Sequence, residues 1–251
     1  MNELAGLPTV FWIVAPLTIL FAYTVFGMSG FGSTIISIPI LANWLPLTYL
    51  VPLMALADLA AALAVGGSNR RHVSTAELKR LLPFMVLGIV LGVTVLVSVP
   101  QQPLKVAAAV FAMAVGLHSI LDPAPKGTIS PWWCIPAGTV AGALAAIFGA
   151  GGPVNAAYLA GRLRDKSEIR STVSVIISVS ATIRSTSYAL AGLVLKSGIL
   201  AGLALAAPFA WAGLALGSRI HTGLTQTQMR RAIGGVLMAS GVVLLARTLL
   251  A

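Results

Sequence analysis

Charge is what this 251-residue chain has least of. Six Asp and Glu and sixteen Lys and Arg make up only 9% of it, against 58% hydrophobic residues and a mean hydropathy of +0.96. A soluble domain has about a quarter of its residues charged. So few ionic side chains cannot cover a soluble chain of this length, and lipid must be the solvent for most of it. Cysteine is equally scarce: the lone Cys134 excludes an intrachain disulfide and a cysteine-based metal cage. The residues ahead of the first apolar run, Met1–Pro8, carry Glu3 and no Lys or Arg. That is a poor signal-peptide n-region, so the run is expected to be mature structure. No HExxH, Walker A or Rossmann fingerprint occurs, and no cofactor or metal is expected. The alternation that builds a β-barrel is also missing. What remains is an all-α integral membrane protein. The net charge of +10 looks at first like a nucleic-acid footprint. The cations, however, cluster in short loops between apolar runs, where they label topology, and no nucleic-acid partner is expected.

A helix needs about 17–25 apolar residues to cross a bilayer. Eight runs qualify: 9–28, 47–66, 81–99, 104–121, 131–150, 171–191, 199–217 and 232–250. Two shorter apolar pieces, Ser33–Trp44 and Pro153–Ala160, each follow a long run across a glycine-rich break, Gly27-Met28-Ser29-Gly30 and Gly149-Ala150-Gly151-Gly152. As helices they reach only about 12–18 Å, so they are predicted to be half-helices.

Long run, break, half-helix and three more long runs occur twice in that order. Shifted by 125 residues, Pro83-Phe84, Gly88, Gly92, Gln101, Met113 and Gly116 fall on Pro208-Phe209, Gly213, Gly217, Gln226, Met238 and Gly241, with 10 identities in the 34 positions 83–116. At the break the shift is 122, placing Phe26-Gly27 and Gly30 on Phe148-Gly149 and Gly152. The chain therefore divides into a first repeat, 1–121, a cytoplasmic linker, 122–130, and a second repeat, 131–251, forming one transport domain. If each hairpin returns the chain to the side it left, the repeats are inverted. Arg70, Arg71, Lys79, Arg80, Lys126, Arg162, Arg164, Lys166, Arg170, Arg219, Arg230 and Arg231 then share one side, against Lys105, Lys196 and Arg247 on the other. The opposite assumption splits the same cations seven to eight. Only the first obeys the positive-inside rule. Inverted repeats, cytoplasmic Arg-rich loops and both termini outside are the expectation; whether each hairpin crosses fully or is re-entrant stays open.

Unpaired backbone at membrane depth is tolerated only where it is buried in protein or lines a wet cavity. The half-helix N-termini, near Ser33-Thr34 and Val154-Asn155, offer free N–H groups and a positive dipole end. The small residues Gly27, Ser29, Gly30, Gly149, Gly151 and Gly152 let a ligand approach that backbone. Two such breaks converging from opposite faces are expected to hold an anionic substrate at the repeat interface, as in a secondary transporter. The plainer alternative is that these glycines only permit tight helix crossing. Arg184 is the one cation and Asp58 the one carboxylate deep within a predicted span. Arg184 has the geometry to bind a sulfonate, sulfite or carboxylate bidentately. Asp58 is expected to pair with it or to carry a coupling proton, and a purely structural ion pair is the alternative. The Gly88-xxx-Gly92 and Gly213-xxx-Gly217 spacings read as helix packing. His118 reads as a hydrogen-bonded packing residue, Arg247 as snorkelling, Trp132-Trp133 as an interfacial anchor and Arg162–Arg170 as a solvated inside loop.

Phe26–Pro39 and Phe148–Arg162, above all the Gly-Ala-Gly-Gly-Pro stretch at 149–153, resemble the TauE/SafE family, the sulfite and organosulfonate exporters also called TSUP. The first break, Gly-Met-Ser-Gly-Phe-Gly, is poorer in glycine than that family's pattern. The resemblance implies a plasma-membrane (bacterial inner-membrane) carrier of sulfur-containing or similar small organic anions, moving them outward with proton coupling. The expected partners are a small anion and the lipid bilayer, with room for a homodimer. Two rivals differ in class. One is an anion channel. The other is an intramembrane serine protease, because Gly27-Met28-Ser29-Gly30 matches the GxSG around a rhomboid serine. The second repeat has glycine where Ser29 falls, so a duplicated hairpin explains the pattern without catalysis.

Overall fold

The computed structural model describes residues 6–29, 32–65, 73–121, 128–195, 198–219 and 226–250. Gly30, His72, His221 and the loop cations Arg70, Arg71, Lys126 and Lys196 lie outside these. Among the described residues the regular structure is helical throughout: α1 (Thr9–Ser29), α2 (Ser33–Leu41), α3 (Leu47–Val65), α4 (Thr75–Ser98), α5 (Gln101–Leu121), a 3-10 turn at Pro131–Trp133, α6 (Cys134–Phe148), α7 (Gly151–Arg162), α8 (Lys166–Leu190), α9 (Ile199–Arg219) and α10 (Gln226–Leu250). Seven of the long helices are apolar and long enough to cross a bilayer. The eighth expected span, 47–66, is α3, whose apolar stretch over described residues, Leu47–Leu63, is shorter than those seven.

Helix starts depart from the apolar runs. α4, α8 and α10 begin about six residues ahead of the runs at 81, 171 and 232. Lys79 and Arg80 therefore lie in the opening turns of a helix, not in a loop. The reason is capping. The Ser74 carbonyl accepts from Leu78 N, and the Asp165 side chain accepts from Ser167 N at 2.7 Å. A helix starts at its cap, whereas hydropathy registers only where lipid begins. The breaks shift as well. α1 runs on through Gly27, Met28 and Ser29, and α7 already begins at Gly151, so the only non-helical residues of the second break are Gly149 and Ala150.

The helices group into two compact units that each draw on both halves of the chain: Met1–Leu50, Ser98–Ala124 and Ser197–Ala251 form one, Val51–Val97 and Pro125–Lys196 the other. In the first, α1 and α9 run parallel. A Cβ on Gly213 would strike the Leu20 carbonyl, one on Gly217 that of Thr24, and one on Gly27 would lie 2.8 Å from the Leu214 oxygen. α5 and α10 run antiparallel: a Cβ on Gly116 would meet the Gly234 oxygen at 2.7 Å, and one on Gly241 the Ala109 oxygen at 2.9 Å. α2 is buried along nearly its whole surface, as expected of a helix apolar on every side. In the second unit α4 and α6 are parallel, with Gly88 against Thr139, Gly92 against Ala143 and Gly142 against Met85. The packing reading of both glycine pairs holds. Away from these crossings α4 exposes Leu87, Val90 and Leu91, and α9 exposes Leu200, Leu205 and Trp211, an apolar surface suited to lipid.

Candidate functional site

In the second unit, α6 stops inside the protein. Gly149 takes a left-handed φ of 66°, its N–H returns to the Ala145 oxygen at 2.9 Å, and Ala150 N donates to the Leu144 oxygen at 3.2 Å. A helix end at membrane depth leaves carbonyls that no water reaches. Two side chains of α8, one turn apart, meet them: Arg184 Nη1 donates to the Ala145 oxygen at 2.9 Å, and Tyr188 Oη to the Ala146 oxygen at 2.6 Å. Arg184 is 3% exposed, and its Nη2 lies 3.5 Å from Oδ2 of Asp58 on α3. Its Nε has no hydrogen-bond partner among the described residues. The sequence-predicted pair thus does meet, and Arg184 is held at the break itself by two protein partners.

Beyond Ala150, which offers no side-chain cap, α7 opens with Gly151-Gly152-Pro153-Val154. Pro153 has no N–H, so the amides of this turn without an intrahelical partner belong to Gly151 and Gly152. Gly151 is fixed by packing: a Cβ there would stand 2.5 Å from the Ala141 oxygen. Gly152 and Val154 are half-exposed. Asn155, 2% exposed, has a buried Oδ1 with no partner among the described residues. Gly149, Gly151, Gly152, Asn155, Arg184 and Asp58 therefore share one unit.

The remaining candidates belong to the other unit. Gly27 packs on α9, so for it the helix-crossing alternative applies. Ser29 closes α1, and Gly32, at φ 106°, leads into α2, whose first residues Ser33 and Thr34 are buried. His118 is exposed in the last turn of α5 instead of packed. Arg247, exposed, stacks 5.4 Å from the Trp44 ring centroid.

Sequence reasoning missed Glu77. It is buried in the first turn of α4, accepts from Tyr158 Oη at 2.6 Å and from Arg162 Nη2 at 2.9 Å, and pairs with Arg80 at 2.7 Å. Arg162 is accordingly the ion-paired end of α7, not part of a solvated loop. A signal existed, since Glu77 is one of only six acids, but Ser74-x-x-Glu77 has the spacing of a local capping box. In the fold, Thr172 Oγ1 of α8 takes the Ser74 N–H at 2.9 Å, and the carboxylate turns to α7 instead.

The profile of the family described as sulfite exporter TauE/SafE matches residues 15–244. The chain belongs to the TauE/SafE family. Similar to it is a curated relative, the probable inner membrane transporter protein TsaS of Comamonas testosteroni, 30% identical over 193 residues that cover 76% of this chain and 81% of the relative. No solved structure matches. With seven apolar helices of spanning length, this TauE/SafE member is a multi-pass membrane transporter of the plasma membrane, acting on a small molecule.

Proposed function

We propose that this TauE/SafE chain is a secondary carrier that exports small organic or sulfur-containing anions, such as sulfite or organosulfonates, by alternating access with proton coupling. The observation that carries this reading is the uncapped α7 N-terminus at the break, with the buried side chain of Asn155 one turn along the same helix. Free N–H groups and the positive end of the helix dipole favour an anion there, and the half-exposed Gly152 leaves room to approach. Gly149 and Gly151 shape that turn. Ser29, Gly30, Ser33 and Thr34 are the sequence counterparts of Gly151, Gly152, Asn155 and Ala156 under the shift of 122 and take the matching role in the first repeat, while Gly27 serves the α9 crossing. Arg184 adds fixed positive charge at the break. Asp58 balances that charge, and its protonation strengthens the pull on an anion.

The repeats, 1–121 and 131–251, are inverted in this reading. Its support is the α5–α10 crossing. Shifting both members by 125 turns the Gly116–Gly234 contact into Gly241–Ala109, the exchange expected of antiparallel counterparts about a two-fold axis in the membrane plane. Asp58 and Arg184 lie on α3 and α8, which are also repeat counterparts.

The test is a thermal-shift panel of sulfite, sulfoacetate, taurine and lactate on the purified protein, followed by counterflow of the best binder in proteoliposomes. At 100 times Kd a ligand specific to the folded state stabilises by about 2.7 kcal/mol. The expected outcome is a selective shift that Asn155→Ala removes, together with counterflow. A panel with no shift, or flux without saturation or counterflow, overturns the carrier reading.

A further inference from the structure

The half-helix α7 is held at its far end by an ionic cluster that its repeat counterpart lacks. Glu77 lies on α4, 4% exposed, and its two oxygens accept from Tyr158 Oη (2.6 Å), Arg162 Nη2 (2.9 Å), Arg162 Nε (3.2 Å) and Arg80 Nη1 (2.7 Å). Arg162 Nη1 also donates to the Ile129 oxygen at 3.0 Å, and Ile129 N returns to the Gly161 oxygen at 2.9 Å. A Cβ on Gly161 would meet the Ile129 side chain at 2.9 Å, so the last turn of α7 has no slack. The start of α4 is tied in turn to Thr172 of α8. Two helices of one unit thus meet at a single carboxylate, and α8 is joined to them through the Ser74 amide.

Under the break's shift of 122, Tyr158 and Arg162 correspond to Ile36 and Ile40 of α2, and under the later shift of 125 Glu77 corresponds to Gly202. Near that end of α2, Asn43 Nδ2 bonds only to the Pro39 and Ile40 oxygens of its own segment. The ionic anchor therefore belongs to one repeat alone. α7 is about 18 Å long, and hydrogen-bonded backbone moves as a rod over such a length. Charge-assisted bonds to a buried carboxylate are the strong kind, and they sit at the end opposite the one that meets the break.

We propose that Glu77 is a positioning residue, an ionic latch that fixes α7 from its C-terminal end and so sets where the α7 N-terminus stands. The consequence for anion binding rests on the function proposed above, but the test does not. Backbone hydrogen exchange is followed in the full-length protein in nanodiscs, without substrate, for Glu77→Gln, Tyr158→Phe, Arg162→Ala and Arg162→Lys. Glu77→Gln and Arg162→Ala are expected to speed exchange about tenfold over residues 155–157, a full helix turn or more from the changed contacts of Arg162. Arg162→Lys keeps a charge on Glu77 and restores much of the protection, and Tyr158→Phe, which remains foldable if the ionic variants do not, gives a smaller rise at the same residues. The α5–α10 crossing at Gly116 and Gly241 stays at its parental rate. Acceleration confined to 158–162, or equal acceleration across all helices, overturns the latch. If exchange responds as stated while no anion of the panel binds any variant, the latch stands and the anion reading falls.

Discussion

Removing Asp58 while leaving Arg184 in place is the most decisive perturbation of the break. Arg184 Nη2 and Asp58 Oδ2 are 3.5 Å apart, and both side chains are nearly fully buried. At an effective dielectric constant of about 20 their attraction is about 5 kcal/mol. The 3.5 Å separation is longer than a good charge-assisted hydrogen bond, so that value is a ceiling. In Asp58→Asn the guanidinium keeps the Ala145 carbonyl but loses its counter-charge, and an uncompensated buried charge costs about 3–5 kcal/mol. At about 2–4 °C per kcal/mol for a chain of this size, the unfolding midpoint falls by about 6–20 °C. The assay is thermal unfolding of detergent-purified protein followed by intrinsic tryptophan fluorescence. Asp58→Asn combined with Arg184→Gln removes both charges together, and its midpoint is expected to lie above that of Asp58→Asn alone, because neutral replacement of a buried pair is often nearly free. The reasoning is refuted if Asp58→Asn melts within about 2 °C of the parent. It is refuted equally if the two substitutions add without coupling.

Gly142→Leu drives a side chain into the Met85 carbonyl of α4 and is expected to cost at least about 1–3 kcal/mol; an unchanged melting midpoint would contradict the crossing. Ser29→Ala is expected to retain partial flux in proteoliposomes, whereas a serine protease would lose nearly all activity. In a Cys134→Ser background, single cysteines at Gln102 and Arg247 are expected to react with an impermeant maleimide on intact cells. Cysteines at Lys79 and Arg164 are expected to react only after permeabilisation; the reverse pattern would overturn the orientation with both termini outside.

Most of the fold was legible because lipid leaves a helix few ways to read. Apolar runs of spanning length located α1, α4, α5, α6, α8, α9 and α10, and Gly88-xxx-Gly92 and Gly213-xxx-Gly217 marked crossings where no side chain fits. Hydropathy could not place the starts of α4, α8 and α10. Asp165 caps α8 and α4 opens at Ser74, both among charged residues ahead of the hydrocarbon that hydropathy detects.

The sequence by itself determined the solvent, the class, the duplicated order of helices and the two glycine breaks, since these follow from composition and spacing along one dimension. Only tertiary structure decided the partners. Asp58 and Arg184 meet although 126 positions separate them, and Arg184 spends one hydrogen bond on closing α6. Glu77 leaves a spacing that suits a local cap for Tyr158 and Arg162 on another helix. A carboxylate withdrawn from water takes the strongest donors within reach, and which donors those are depends on helix packing, which no local pattern encodes.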